Sequence, residues 1–353
     1  MAEPDQPVLP YTDPHRNNTP WSTEPMSRPS LFHFASSELS QDAFICWLLS
    51  WADPELEGHN SELHATAHDL ILSLLAKHEY EYESQLESID IKQQHSGIDI
   101  VAVLNEEMVL LIEDKVHTAA HSGQLSRYRA VLSNDFDDSQ VFPIYFKTGD
   151  QSSFKRARKN GYEPFVREDF LEVLEAGLKR GVSNNIFRDY HAHLSSIDEK
   201  VKSFEAIPVA EWPQAAWRGF FQFVQEHLGT GNWKYVSNPS GGFMGYWWHS
   251  FATSDCRAYL QLEEEKLCFK IAVEEKGKYK HLRQEWHDKI TEVSTEIPLQ
   301  VTKPDRFGYG RCMTVAVFPG DYRVTDENEI IDLKASLKRL KQAEEVLTRA
   351  VQQ

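Results

Sequence analysis

A run of four apolar residues at positions 109–112, Val-Leu-Leu-Ile, places the strongest constraint on the fold of this chain. Alternate side chains of a strand point to opposite faces, so this strand is apolar on both faces and needs a covering layer on each side. Strand patterns at residues 87–93 and 98–104 precede it, and another at 141–146 follows. Helical patterns at 61–78 and 121–132 accompany these strands. This order predicts an α/β fold, a mixed sheet flanked by helices.

The length of the chain and its uneven composition indicate two domains. A chain of 353 residues is long for one hydrophobic core. Residues 1–30 hold seven of the sixteen prolines and predict a flexible N-terminal arm. Six of the nine tryptophans lie between Trp212 and Trp286. We therefore predict a first domain at residues 31–206 and a smaller, tryptophan-rich α+β domain at 207–353.

Composition also excludes several classes of protein. No apolar run reaches eighteen residues and no signal peptide is visible, so we expect no membrane span and a cytoplasmic location. The four cysteines are far apart and form no C-x-x-C pair, which argues against zinc fingers and for reduced thiols. The net charge of −17 argues against non-specific coating of nucleic acid, but not against an enzyme with a local basic cleft.

Two acidic residues and a lysine are predicted to meet at the ends of adjacent strands. If residues 105–107 form a three-residue loop, Leu104 pairs with Met108 and Asp99 lies opposite Glu113, with Cβ atoms roughly 5 Å apart. Lys115 then shares that face. Carboxylates this close repel each other without a cation, and oxygen ligands suit Mg²⁺ or Mn²⁺. A lysine beside such an ion can hold or deprotonate a water, which is the chemistry of metal-assisted phosphodiester hydrolysis.

This set of residues resembles the PD-(D/E)xK nuclease superfamily. The resemblance rests on Asp99, on Glu113-x-Lys115 and on the Gln124-x-x-x-Tyr128 that follows, and it covers roughly residues 34–180. The Gln/Tyr helix is similar to the RecB-like branch. Ile98 stands where the family usually has proline.

The resemblance implies a restriction-endonuclease-like sheet and a role for each matching residue. Asp99 and Glu113 would bind the metal, with the backbone carbonyl of Asp114 as a further ligand. Glu38, at the start of an upstream helix, would be an additional acidic metal ligand. Lys115 would activate water, and the remaining two residues would position Lys115 or the phosphate, namely Gln124 and Tyr128.

A second set of residues could form a similar arrangement. A turn at residues 264–265 would place Asp255 opposite Glu274, with Lys276 two residues further on. We reject this set because its strand carries Lys270 where a central strand should be dry, and because no Gln-x-x-x-Tyr helix follows it. The register of the first set is itself sensitive to the turn. A slip by one residue would pair Asp99 with Asp114 instead.

Two further segments have alternative interpretations. Residues 155–159, Lys-Arg-Ala-Arg-Lys, could contact a phosphate backbone or form a solvated loop. The aromatic residues of segment 240–248 could stack on bases, although alternating aromatics in a hairpin more often belong to the core.

Together these features predict a divalent-metal-dependent nuclease, with DNA as the favoured substrate. The C-terminal domain would recognise substrate, a partner protein or another subunit. By resemblance, a protein of this build suggests bacterial restriction or antiphage defence. Two alternatives stay open: a catalytically silent nuclease-fold binding module, and a phosphoesterase that acts on small nucleotides.

Overall fold

The computed structural model describes residues 29–35, 37–116, 125, 127–128, 136–238 and 241–353. Two five-stranded sheets organise this part of the chain. The first has the order β1-β2-β3-β4-β5, with antiparallel pairing from β1 to β3 and parallel pairing from β3 to β5. Its strands are β1 Ile89–His95, β2 Ile98–Leu104, β3 Met108–Lys115, β4 Val141–Lys147 and β5 Glu163–Val166. The predicted mixed sheet is confirmed.

Helices cover the first sheet on both faces, because β3 is apolar on both. One face packs against α1 Leu31–Phe34, α2 Glu38–Ser50, α3 Ser61–Ala76, α5 Arg167–Arg180 and α6 Asn185–Lys202. The other face packs against α4 Lys155–Lys159 and against Leu125 and Tyr128. These two residues and Arg127 are helical, and the rest of the helix predicted at 121–132 lies outside the described residues.

The hairpin between β2 and β3 has the predicted register. Leu104 pairs with Met108 and Ile100 with Ile112, so the three residues between the strands form the loop. Asn105 and Glu106 adopt positive φ angles of 51° and 58°, a left-handed conformation that suits a tight strand connection. The alternative register, with Asp99 opposite Asp114, is wrong.

The second sheet is an antiparallel meander with helices packed against one face. Its strands are β6 Asn232–Val236, β7 Phe243–Ala252, β8 Arg257–Glu263, β9 Lys266–Ala272 and β10 Cys312–Val317. The helices are α7 Gln214–Leu228, α8 Tyr279–Ser294 and α9 Leu333–Gln352. Tyr246 and Trp248 belong to the core that these helices share with the sheet. This confirms the core interpretation for these two aromatic residues, whereas their neighbour Trp247 lies outside that core.

The hydrophobic cores fall into two groups along the chain. One core and its satellite cluster span residues 32–194, and the other begins at Phe204. We propose residues 31–206 and 207–353 as the two domains. Of the proposed arm, residues 1–30, only the last two lie within the described part of the chain. No helix among the described residues is long and apolar enough to cross a membrane.

Asp150 joins the two halves of the chain. Its carboxylate, almost fully buried, pairs with Arg167 of α5 at 2.8 Å and with Arg218 of α7 at 3.1 Å. Gln222 of α7 donates a further hydrogen bond to it at 3.2 Å. One buried anion therefore holds two cations from different parts of the sequence.

We predict that Asp150→Ala lowers the free energy of unfolding by about 3 kcal/mol or more, because it leaves the buried Arg167 guanidinium with less compensating charge. Urea denaturation followed by tryptophan fluorescence measures this. Asp255→Ala is the matched control, since the Asp255 ion pair with Lys278 is exposed, and its urea midpoint should not move. Equal midpoints for the two variants would contradict the prediction.

Candidate active site

The ends of β2 and β3 bring two carboxylates and one ammonium together. Lys115 Nζ lies 2.7 Å from Glu113 Oε1 and 3.1 Å from Asp99 Oδ2. The strand register explains this meeting, because positions 113 and 115 share one face of β3 and position 99 lies across from it on β2. The structure thus brings together the three residues on which the sequence prediction centred.

Glu113 is fully buried, in an environment that disfavours the charged form of its carboxyl group. Apart from the ion pair with Lys115, neither carboxylate oxygen has a hydrogen-bond partner among the described residues. Burial, together with the nearby charge of Asp99, raises the pKa of Glu113 from 4.5 to about 7. Because little stabilises the ionised form of this buried carboxylate, binding of a cation beside it would be strongly favourable.

Lys115 is held as a cation. Burial acts to lower its pKa, but the carboxylates of Glu113 and Asp99 outweigh this effect and raise the pKa above the ordinary lysine value. Its Nζ also donates a hydrogen bond to the carbonyl oxygen of Asp114 at 2.6 Å. In this arrangement Lys115 is a hydrogen-bond donor and a positive charge, and it has no lone pair with which to accept a proton.

Glu38 reaches the same site from the first turn of α2. Its Oε1 accepts a hydrogen bond from the backbone N–H of Val116 at 3.1 Å, and its Oε2 lies 4.0 Å from Lys115 Nζ. The Ser37 side chain, which accepts from the N–H of Ser40, caps this helix and fixes where it begins. Three carboxylates thus surround one ammonium.

The Asp114 side chain lies on the opposite face of β3, in a polar cluster that we call the Gln41 network. Gln41 Nε2 donates to Asp114 Oδ1 at 2.5 Å. Gln41 Oε1 in turn accepts from Thr148 Oγ1 at 2.6 Å and from the Tyr190 hydroxyl at 2.9 Å. On the side of the site Asp114 contributes only its backbone: its N–H donates to Asp99 Oδ2 at 3.0 Å, and its carbonyl oxygen accepts from Lys115.

Asp42 and Asp114 form a buried pair within this network. Burial raises the pKa of Asp42 to about 6, and burial together with Asp42 raises the pKa of Asp114 well above its usual range. Asp42 Oδ1 and Asp114 Oδ2 are buried without a hydrogen-bond donor among the described residues, so the negative charge of one carboxylate favours the protonated form of the other. Gln94 connects this pair to the site, since its Nε2 lies 3.2 Å from Asp42 Oδ2 and 3.3 Å from Asp99 Oδ1.

Lys147 is a second buried cation beside the site that the sequence analysis missed. It pairs with Lys115 in the parallel register of β3 and β4, and its Nζ donates to the carbonyl oxygen of Val116 at 2.8 Å. Burial lowers its pKa to about 8. The available signal was a lysine at the end of an otherwise apolar strand. Of Gln41, Asp42 and Tyr190, only Asp42 had a signal in the sequence, because it lies one helical turn after Glu38 and so shares its face of the helix.

The remaining predicted residues differ in what the structure says of them. Gln124 lies outside the described residues. Tyr128 is buried on the sheet face that carries Glu113 and Lys115, where it packs over Gly97 and under Arg127. Its predicted role stays a prediction. The basic segment 155–159 is the short helix α4 on this same face, and four of its five side chains are exposed, all of them cationic.

The second set of residues considered in the sequence, Asp255, Glu274 and Lys276, does not form a site in the structure. The register of β8 and β9 does continue towards a pairing of Asp255 with Glu274. However, Asp255 forms its ion pair with Lys278 at 2.7 Å, and Glu274 forms its own with Arg311 at 2.6 Å. Both carboxylates are exposed and compensated, so neither requires a metal ion.

The first set of residues has the chemistry of a divalent-metal site. Among the described residues, no three His, Cys, Asp or Glu side chains are arranged as a complete metal-binding cluster. Lys115 Nζ stands where the carboxylates converge. The donors around it are the hard oxygens that Mg²⁺ and Mn²⁺ prefer, and those of Glu113 lack hydrogen-bond donors. These residues fit such an ion.

Comparison with known proteins identifies one family. Residues 31–205 match the model of the PD-(D/E)XK nuclease superfamily. The match covers the whole first sheet and every residue of the site described above. No curated protein and no solved structure matches the chain. Similarity to the RecB-like branch stays a prediction.

We predict that the metal-free protein loses stability as the pH rises from about 4.5 to 7. In this window unfolded Glu113 has lost its proton, whereas the folded form, with its pKa of about 7, keeps it. The folded state then binds more protons, so its stability falls with rising pH, by roughly 3 kcal/mol for this residue alone.

Thermal melts in EDTA at several pH values test this prediction. Glu113→Gln should show a clearly shallower decline than wild type between pH 5 and 7. Glu274→Gln, at an exposed glutamate, should keep the wild-type slope. Identical slopes for all three proteins would show that Glu113 does not titrate in this range.

Proposed function

Residues 31–205 belong to the PD-(D/E)XK nuclease superfamily, and from this premise we propose that the protein is a divalent-metal-dependent nuclease that hydrolyses phosphodiester bonds, with DNA as the favoured substrate. One observation carries the proposal. Asp99, Glu113 and Glu38 converge on Lys115 Nζ at distances of 3.1, 2.7 and 4.0 Å. A silent fold has no need to maintain an acidic cluster that is this costly to bury.

The proposed metal ligands are Glu113, Asp99 and the carbonyl oxygen of Asp114, with Glu38 as an additional acidic residue. Mg²⁺ or Mn²⁺ bound there would supply Lewis-acid stabilisation of charge on the phosphate and would lower the pKa of a coordinated water. Glu113 is suited to this role because its buried charge has little other compensation.

Lys115 is proposed to place the attacking water and to stabilise negative charge on the phosphate. As an ammonium it has three donors, and all three groups that now accept them, Glu113, Asp99 and the carbonyl oxygen of Asp114, are proposed metal ligands. The Gln41 network is proposed to fix the end of β3 from the opposite face of the sheet. It anchors the side chain of Asp114, whose two sequence neighbours, Glu113 and Lys115, belong to the site. Gln124 and Tyr128 are proposed to position Lys115 or the phosphate.

The environment of the site supports a nucleic-acid substrate. The exposed cations of helix α4 lie on the same sheet face and are proposed to contact the phosphate backbone. The four cysteines are free, which supports a cytoplasmic location. We further propose that residues 207–353 recognise the substrate, a partner protein or another subunit. The proposed biological role is bacterial restriction or antiphage defence.

The decisive experiment incubates the protein with plasmid, linear duplex DNA, single-stranded DNA and RNA, each with Mg²⁺, Mn²⁺ or EDTA. Metal-dependent cleavage of any polymer supports the nuclease. Hydrolysis of mononucleotides alone would favour the phosphoesterase, and no hydrolysis of any substrate would favour the binding module.

We predict that Glu113→Gln and Lys115→Ala each reduce cleavage at least 100-fold, a loss typical of removing one group that stabilises transition-state charge. Lys115→Arg should not restore activity, because a guanidinium differs in shape and in acidity. Initial rates on the preferred substrate measure these effects.

The neighbouring residue supplies the matched control. Asp114→Asn makes the same carboxylate-to-amide change one position away, but its side chain lies in the Gln41 network, where an amide can donate to Asp42. This variant should retain most activity, as should Glu274→Ala. A loss of activity in Asp114→Asn as severe as that in Glu113→Gln would refute the assignment of the Glu113 and Asp114 side chains to opposite faces of β3, with the site on the Glu113 face.

We further predict that Mg²⁺ stabilises the folded protein by about 2.7 kcal/mol at a hundredfold excess over its Kd, because it binds only the folded site. Calorimetric melts with EDTA and with Mg²⁺ measure this shift without reference to cleavage. Asp99→Asn and Glu113→Gln should lose most of the shift, whereas Glu274→Gln should keep it. A full shift in both site variants would place metal binding elsewhere.

A further inference from the structure

The second sheet has one face that its helices do not use. The buried residues of β7 to β9 that pack against α7, α8 and α9 are the ones at positions such as Tyr246, Leu260 and Phe269. Their sequence neighbours point to the opposite face, because side chains alternate along a strand. We call that surface the open face. It carries Lys234, Phe243, Trp247, Arg257, Tyr259, Glu263, Lys266 and Lys270, all of them partly or fully exposed.

The aromatic side chains of the open face stand on neighbouring strands. Trp247 of β7 pairs with Gln261 of β8, so Tyr259, two residues before Gln261, is its diagonal neighbour. Sheet geometry puts such positions about 7–8 Å apart. The ammonium of Lys234 lies 5.8 Å from the centroid of the Trp247 ring, within the range of a cation–π contact. The face thus combines flat apolar surfaces with an adjacent positive charge.

The charge of the open face is opposite to that of the whole chain. It carries four cations and one carboxylate, on a chain whose net charge is −17. The carboxylate, Glu263, is already paired with Lys270 at 2.7 Å. Among the described residues no carboxylate forms an ion pair with the other three cations, Lys234, Arg257 and Lys266, so their charge is available for an anionic ligand. A protein this acidic has few reasons to collect cations on one sheet face unless that face meets an anion.

We propose that the open face binds single-stranded nucleic acid, with bases stacked on Trp247 and Tyr259 and phosphates beside Lys234, Arg257 and Lys266. Bases can stack on aromatic side chains only when they are free of a duplex, which favours a single strand over duplex DNA. The inference rests on the proposed function, since it takes the substrate of residues 31–205 as the ligand. It assigns to the second sheet the capture of a strand and leaves the hydrolysis to the first.

Fluorescence anisotropy of the full chain in EDTA tests this inference. The probes are labelled single-stranded DNA, single-stranded RNA and duplex DNA of equal length. We expect tighter binding of a single strand than of the duplex. Trp247→Ala and Lys234→Glu should each weaken single-strand binding about tenfold or more, and the affinity should fall steeply with salt.

A second lysine–aromatic pair provides the matched controls. Lys280 lies 5.1 Å from the ring centroid of Tyr309, which is exposed and lies outside the open face. Tyr309→Ala and Lys280→Glu should leave the Kd unchanged. Lys234 is itself exposed on β6, so Lys234→Glu should fold normally, and its melting temperature checks this.

The outcomes separate this inference from the proposed nuclease function. Metal-dependent cleavage by wild type, together with unchanged single-strand binding in Trp247→Ala and Lys234→Glu, would overturn the open-face assignment alone. Preferential binding of the duplex would also overturn it. Weakened binding in these variants but not in the controls would support it, even if the wild-type protein cleaved nothing. Failure of wild type to bind any probe would point to a protein ligand for this face and contradict the inference.

Discussion

The charge balance around Lys115 is the interaction on which the rest of the candidate site depends. Glu113 is completely buried and Asp99 is partly buried, and two such carboxylates could not stay a few ångströms apart without a cation between them. Lys115 supplies that charge and also bonds to the carbonyl oxygen of Asp114, so it fastens the ends of β2 and β3 to each other. The ligand set and the scaffold are therefore parts of one electrostatic arrangement.

The hairpin was predictable because its determinants are local. A three-residue loop between two strands, combined with alternation of side chains, is sufficient to place position 99 opposite position 113. The same reasoning separates Glu113 from Asp114, since neighbouring residues of a strand face opposite sides. Periodicity also identified β3 as a strand covered on both faces. These conclusions required no knowledge of how distant segments pack.

The polar residues behind the site were not predictable for the opposite reason. Gln41 joins Asp114, Thr148 and Tyr190, which come from three other segments of the chain. Lys147 reaches the site only because β4 pairs in parallel with β3. The local sequence pattern of a helix or strand does not predict these contacts, because they depend on the tertiary packing of segments up to 149 residues apart. Gln124 lies outside the described residues, so its part in the site stays a prediction.

The junction at Asp150 limits how freely the two halves of this chain can vary. Its carboxylate joins Arg167 to Arg218 and Gln222, and Ser152 accepts through its carbonyl oxygen from Gln225. A sequence that acquired a different C-terminal half without these α7 side chains would be left with a buried anion short of partners. Substitutions at positions 150, 218 and 222 should therefore depend on one another, and the two halves should be inherited as one unit rather than exchanged as independent modules.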